Sequence, residues 1–175
     1  MANFTPYFEM VLKWEGGWAD DPDDRGGKTN MGVTLNTWKA MGWDNNNDGV
    51  IDAEDLRLAT KDQVKAICKK NYWDFVKGDF INDQRIAQHI ADFGWGSGPV
   101  TAVRRVQKVL GVGADGILGK GTLGTINNYP NQDHLLDLLV QDRIAFLDAI
   151  IARDPSQKKF ERGWKNRVYD VVKVS

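Results

Sequence analysis

Two sets of oxygen-bearing side chains in this sequence have types and spacings that could support chemistry. The first starts at Glu15. Phe4, Tyr7, Phe8, Val11 and Leu12 follow helical spacing and form one apolar stripe. Glu15 stands almost three full turns after Phe4 and so points roughly where those side chains point. An apolar setting beside Trp14 and Trp18 disfavours a charged carboxylate and would raise its pKa. Asp24 follows across a polar loop that could fold back toward Glu15, and Thr29 and Asn30 carry side chains able to orient a water. A proton held near neutral pH, facing a second carboxylate or a positioned water, meets the needs of glycosidic-bond hydrolysis. The plainer alternative makes Glu15 a helix-end residue paired with Lys13 or Arg25, and the aspartates a solvated loop.

The second set runs from Asp44 to Asp55. Asp44, Asn46 and Asp48 alternate as oxygen donors, Gly49 permits a sharp turn, and Val50 would offer its backbone carbonyl. Ile51 would anchor the loop, while Asp52 and Asp55 complete the calcium-loop pattern with Asp where Glu is usual. That ending resembles the loops of cellulosomal dockerins. The expectation is one structural calcium ion, with no cofactor needed for the chemistry. An acidic surface turn without metal is the alternative.

The elements that must position these groups read mostly as helices. Thr5 is a candidate N-cap, with Pro6 at the first helical position, for a first helix that ends at Gly16-Gly17. Trp18 to Thr34 is turn-rich, because Pro22 and the paired glycines forbid a helix. A short helix after Thr34 carries Leu35, Trp38 and Met41. Thr60 and Gln63 form a capping-box pattern for a helix through Tyr72. Ile86 to Phe93 marks a further helix, expected to break at Gly94, and Val103, Val106 and Leu110 mark the next. A long helix runs roughly from His134 to Arg153, followed by an amphipathic stretch with Phe160, Trp164 and Val168. Arg143 lies inside the apolar stripe of the long helix and needs a carboxylate partner, for which Asp92 is a candidate. Asp92 and Trp95 are also candidates for lining a sugar cleft.

Bulk properties narrow the function classes. The chain has 175 residues, 42% of them hydrophobic, which is enough for a real core. A net charge of -1 with interspersed signs gives no footprint for nucleic acid or an anionic membrane. Cys68 is the single cysteine, so no intramolecular disulfide can form, and its helical position suits a buried apolar residue. The N-terminus lacks the pattern of a signal peptide, and no apolar run is long enough to span a bilayer. Seven tryptophans are compatible with sugar stacking as well as with core packing.

Glu15-Gly16-Gly17-Trp18, then Asp24-Arg25-Gly26-Gly27-Lys28-Thr29-Asn30-Met31-Gly32-Val33-Thr34, resembles the signature of the N-acetylmuramidases of glycoside hydrolase family 108. These are phage endolysins and bacterial relatives, some labelled secretion activators. Trp18 stands where Tyr is usual and Val33 where Ile is usual. The segment from Val106 to Leu123 resembles helical peptidoglycan-binding modules, and Phe160 to Arg167 resembles the family's C-terminus. The resemblance implies a mainly α, lysozyme-like orthogonal helical domain over residues 1–90 and a packed peptidoglycan-binding-like helical half over 91–175. It also implies hydrolysis of the β-1,4 bond between N-acetylmuramic acid and N-acetylglucosamine, with Glu15 as general acid and Asp24 and Thr29 as candidate catalytic partners. Trp18, Asn30, Asp92 and Trp95 are the expected substrate contacts. Peptidoglycan is the expected partner of a monomer made in the bacterial cytoplasm, exported with the help of a holin, and acting on the cell wall in the periplasm or outside. An inactive peptidoglycan-binding or secretion-related protein and a lytic transglycosylase are the competing readings.

Overall fold

The structure is a computed structural model and describes residues 1–20 and 27–173. The chain divides into two compact units, one of Phe8–Cys68 and one of Met1–Tyr7 with Lys69–Ser175. This division falls elsewhere than the expected boundary near residue 90. The N-terminal residues join the later unit because the Ala2 N–H donates to the Ile81 carbonyl at 2.8 Å, and the Asn3 N–H donates to the Gln84 side chain at 2.7 Å.

The expectation of a mainly α chain holds: the described residues form nine α-helices and one two-stranded sheet. Helix α1 spans Phe4–Trp14. Its cap is Asn3 rather than Thr5, since the Asn3 Oδ1 accepts from the Thr5 N–H at 2.9 Å. Asn3 was hidden in the sequence because Gln84, which fixes it, lies 81 residues away.

In the Phe8–Cys68 unit, β1 (Thr29–Asn30) and β2 (Val33–Thr34) make a tight antiparallel hairpin. Helix α2 (Leu35–Met41) begins at Thr34, whose hydroxyl accepts from the Thr37 N–H, and it ends at Gly42. Helix α3 (Ala53–Arg57) follows the acidic loop, and α4 (Lys61–Cys68) opens with the expected reciprocal Thr60–Gln63 capping box. Phe8, Val11, Val33, Trp38, Leu56, Val64, Ile67 and Cys68 are buried in this unit.

In the other unit the backbone widens into a π-turn at Lys69–Trp73, where the sequence pattern had suggested continuing α-helix. Helix α5 (Gln84–Ser97) runs through Gly94 and Gly96 instead of breaking there. Gly94 serves packing: a Cβ on it would lie 3.1 Å from the Pro99 Cα, at the start of α6 (Pro99–Leu110). Gln107 on α6 organises the next turn by donating to Asp115, Thr122 and the Ile117 carbonyl while accepting from the Gly116 N–H. Helix α7 covers Lys120–Asn127, α8 Gln132–Arg153 and α9 Glu161–Val171.

An ion network ties α5, α8 and α9 together. Arg143 meets Asp92 at 2.8 Å, as the stripe position of Arg143 required, and Arg167 meets the other carboxylate oxygen at 2.8 Å. Asp92 is fully buried. Burial alone would raise its carboxyl, but Arg167 and Arg143 together outweigh that and hold it below the usual carboxylate range. Burial, reinforced by the Arg143 charge, pushes the neighbouring His89 imidazole down to about 3.

The unfolded chain therefore takes up a proton on His89 below pH ~6.5 that the folded chain refuses. Stability should fall as pH drops from that value toward 3, with Asp92 adding to the loss only at lower pH, as its carboxyl becomes protonated. Thermal melts at pH 7 and 4.5 should show this decline, and a smaller one in His89→Leu. Asp92→Asn should cost about 3–5 kcal/mol at pH 7, because buried Arg143 and partly buried Arg167 lose their counter-charge. Denaturant titration measures that cost directly.

Candidate active site

Glu15 directly follows α1, and its N–H donates to the Val11 carbonyl at 3.0 Å, extending the helical pattern by one residue. Its side chain is half-buried. The hairpin turn of the same unit lies against the carboxyl. Met31 and Gly32 link β1 to β2 with φ of 46° and 80°, the paired positive values of a two-residue turn matched to strand twist. A Cβ on Gly32 would lie 2.4 Å from the Glu15 Cδ and 2.5 Å from its Oε2. The glycine is thus required twice, once by the turn and once by the carboxyl group lying against its Cα. Met31 holds a left-handed conformation with a bulky side chain, a local strain in a turn that touches a candidate acid.

The chain leaving Glu15 returns beside the hairpin. Ala19 and Thr29 exchange backbone hydrogen bonds of 2.9 Å in both directions, while Thr29 also pairs with Thr34 across the hairpin. Thr29 is therefore held on two sides through its backbone. Asn30 is buried, and its side-chain amide donates to the Leu56 and Arg57 carbonyls at 2.8 and 3.2 Å. These bonds tie the hairpin to the end of α3, so its amide hydrogens serve the fold. Trp18 carries the Arg57 guanidinium 4.5 Å from its ring centroid. That cation covers one indole face. Arg57 escaped sequence reasoning because nothing in local periodicity links it to a tryptophan 39 residues earlier. Gly32 was visible only as a motif position, with no hint that Glu15 lay on it. Asp24 lies outside the described residues.

Within the other unit, Asp92 directs both oxygens to arginines and is fully buried, which leaves no atom for a ligand in this arrangement. Trp95 is half-buried with its ring edge-on to Tyr72, centroids 4.8 Å apart.

The acidic loop is closed by hydrogen bonds. Asp44 accepts from the Asp48 and Gly49 N–H groups, Asn46 from that of Asp48, and Asp48 from that of Val50. Gly49 has φ of 83°, as the pattern demands. Asp52 caps α3 by accepting from the Glu54 N–H, and buried Asp55 accepts from the N–H groups of Asn45, Asn46 and Asp52. Among the described residues, no three carboxylate, imidazole or thiol side chains converge as a metal-holding group. Asp44, Asn46, Asp48, Val50, Asp52 and Asp55 remain oxygen donors of the type calcium prefers.

With this geometry in view, the comparisons define the class. Glycosyl hydrolase 108 matches residues 8–98, and a region described as Predicted Peptidoglycan domain matches residues 101–169. The chain belongs to the glycosyl hydrolase 108 family and is a glycoside hydrolase with a peptidoglycan-directed region. Among solved structures it is similar to one titled Structure of Brucella abortus SagA, with 34% identity and a TM-score of 0.81, covering 97% of this chain and 91% of that one. No curated protein matches it.

Gly32→Ala should push the Glu15 carboxyl from its seat and strain the turn. Peptidoglycan hydrolysis is expected to fall by roughly two orders of magnitude, since misplacing a reacting group by about 1 Å can cost that much. Turbidity clearing measures it, with circular dichroism confirming retained helix content. Wild-type clearing by a folded Gly32→Ala protein would contradict the seat.

Proposed function

We propose that this chain is an N-acetylmuramidase that cleaves the β-1,4 bond between N-acetylmuramic acid and N-acetylglucosamine. The observation that carries the reading is the Glu15 carboxyl lying against Gly32, within the stretch that matches the hydrolase family. Glu15 donates its proton to the departing glycosidic oxygen, so the leaving sugar departs as a neutral alcohol. Asp24 acts as general base or stabilises the positive charge that develops on the sugar, and Thr29 orients the attacking water. Trp18 stacks a sugar ring on the indole face away from Arg57, which fixes the indole plane.

Mass spectrometry of digested sacculi tests this reading. Wild type should release fragments with free reducing N-acetylmuramic acid ends, and Glu15→Gln, nearly isosteric but without the acid, should release at least a thousandfold less. Products ending in 1,6-anhydro sugars would assign the chain to lytic transglycosylases. No released fragment from wild type would make it a binding or secretion-related protein. Equal activity in the two proteins would remove Glu15 from the chemistry.

We also propose that the Asp44–Asp55 loop takes one calcium ion with a purely structural role. The donor spacing and the Gly49 turn support it. Calcium at a hundredfold excess over its Kd would add about 2.7 kcal/mol to stability. The melting temperature should therefore fall by several degrees on exhaustive chelation and recover with added calcium. An unchanged melt would refute the proposal.

A further inference from the structure

Arg57 is the last residue of α3, and its backbone is fixed from below. The buried Asn30 amide donates to the Leu56 and Arg57 carbonyls, which ties this helix end to the hairpin that lies against the Glu15 carboxyl. The guanidinium is placed a second time, 4.5 Å from the ring centroid of Trp18, which follows Glu15 by three residues. Arg57 is nevertheless exposed, and among the described residues its side chain makes no ion pair and no hydrogen bond. Lys28 of the same unit, by contrast, faces Asp20 at 4.0 Å. A guanidinium can rest on an aromatic ring while the N–H groups along its edge grip a carboxylate in a two-pronged fork. Arg57 is thus a cation held at both ends with its donors unspent.

The ligand must be an anion on an arm of the right length. Under the muramidase reading a sugar ring lies on the other indole face, roughly 8 Å from the guanidinium at van der Waals contact. N-acetylglucosamine carries no charge. The lactyl group of N-acetylmuramic acid has one carbon between its ether oxygen and its carboxyl, too short a reach to cross that distance. Two extended residues of the peptide stem joined to it add about 7 Å and bring a stem carboxylate to the guanidinium edge. A polyanion such as nucleic acid would need a row of cations, and Arg57 stands singly.

We propose that Arg57 is a specificity-determining residue that binds a free carboxylate of the peptide stem carried by N-acetylmuramic acid. The proposal rests on the muramidase reading for its substrate. It makes the chain favour peptide-bearing strands over bare strands and over uncharged N-acetylglucosamine polymers.

Soluble glycan strands test this in three forms: stems intact, stem carboxylates capped as amides, and stems removed by an amidase. The release of free reducing ends gives kcat and KM for each. Arg57→Gln should raise KM on intact strands roughly tenfold, as loss of one charge-assisted contact does, with kcat within about twofold. It should leave capped and stripped strands unchanged, and wild type should itself show the raised KM on both. Arg57→Lys should recover part of the loss, and added salt should shrink the difference between wild type and Arg57→Gln. A defect of equal size on all three strands would make Arg57 a support for Trp18 alone and overturn the proposal, as would wild-type kinetics in Arg57→Gln. A defect confined to stripped strands, whose lactyl carboxyl is uncovered, would assign that carboxyl instead of the stem. If wild type releases no reducing ends from any strand, the muramidase reading fails and the proposal with it. If it releases them, the comparison among strands judges Arg57 alone.

Discussion

The candidate site depends on a steric fact. The carboxyl group of Glu15 lies in the space that a side chain on residue 32 would fill. A helix end is a poor place to hold a reactive group, because a lone side chain there has several rotamers and a frayed backbone beneath it. Resting the carboxyl against a hairpin backbone restricts that freedom. The turn can offer a bare Cα only because Gly32 has positive φ, and the hairpin keeps its place because Asn30 bonds the end of α3. Acid, turn, strand and short helix are thus linked within one unit, and each element has a reason to be where it is.

The other unit solves a different problem. Its helices approach closely, at Gly94 against Pro99, and they bury a carboxylate between two arginines. Such a cluster gains little net stability over an apolar core, yet it fixes register, since only one arrangement satisfies all three charges. Asp92 belongs to that framework.

Much of this was legible in the sequence, for local reasons. The stripe to Glu15, the helix start after Thr34, the Thr60 cap and the partner of Arg143 follow from periodicity, capping chemistry and the cost of a buried charge. Features set by distant residues were not legible. Asn3 caps α1 because Gln84 reaches it, whereas Gly94 is a near-neighbour case, a helix-break signal overruled by close packing on Pro99. Asn30 looked like a water-orienting side chain, yet its amide hydrogens go to carbonyls 26 and 27 residues on. Gly32 shows the same limit: spacing marks it as part of a motif, but only the fold places Glu15 on it.

A double-mutant cycle on Glu15 and Gly32, read as the yield of free reducing ends from sacculi after prolonged digestion, tests the central claim most directly. If Gly32 acts by seating the acid, Gly32→Ala lowers the yield in wild type and lowers it no further once Glu15→Gln has removed the acid. Independent losses that multiply, or full yield from Gly32→Ala alone, would contradict the account.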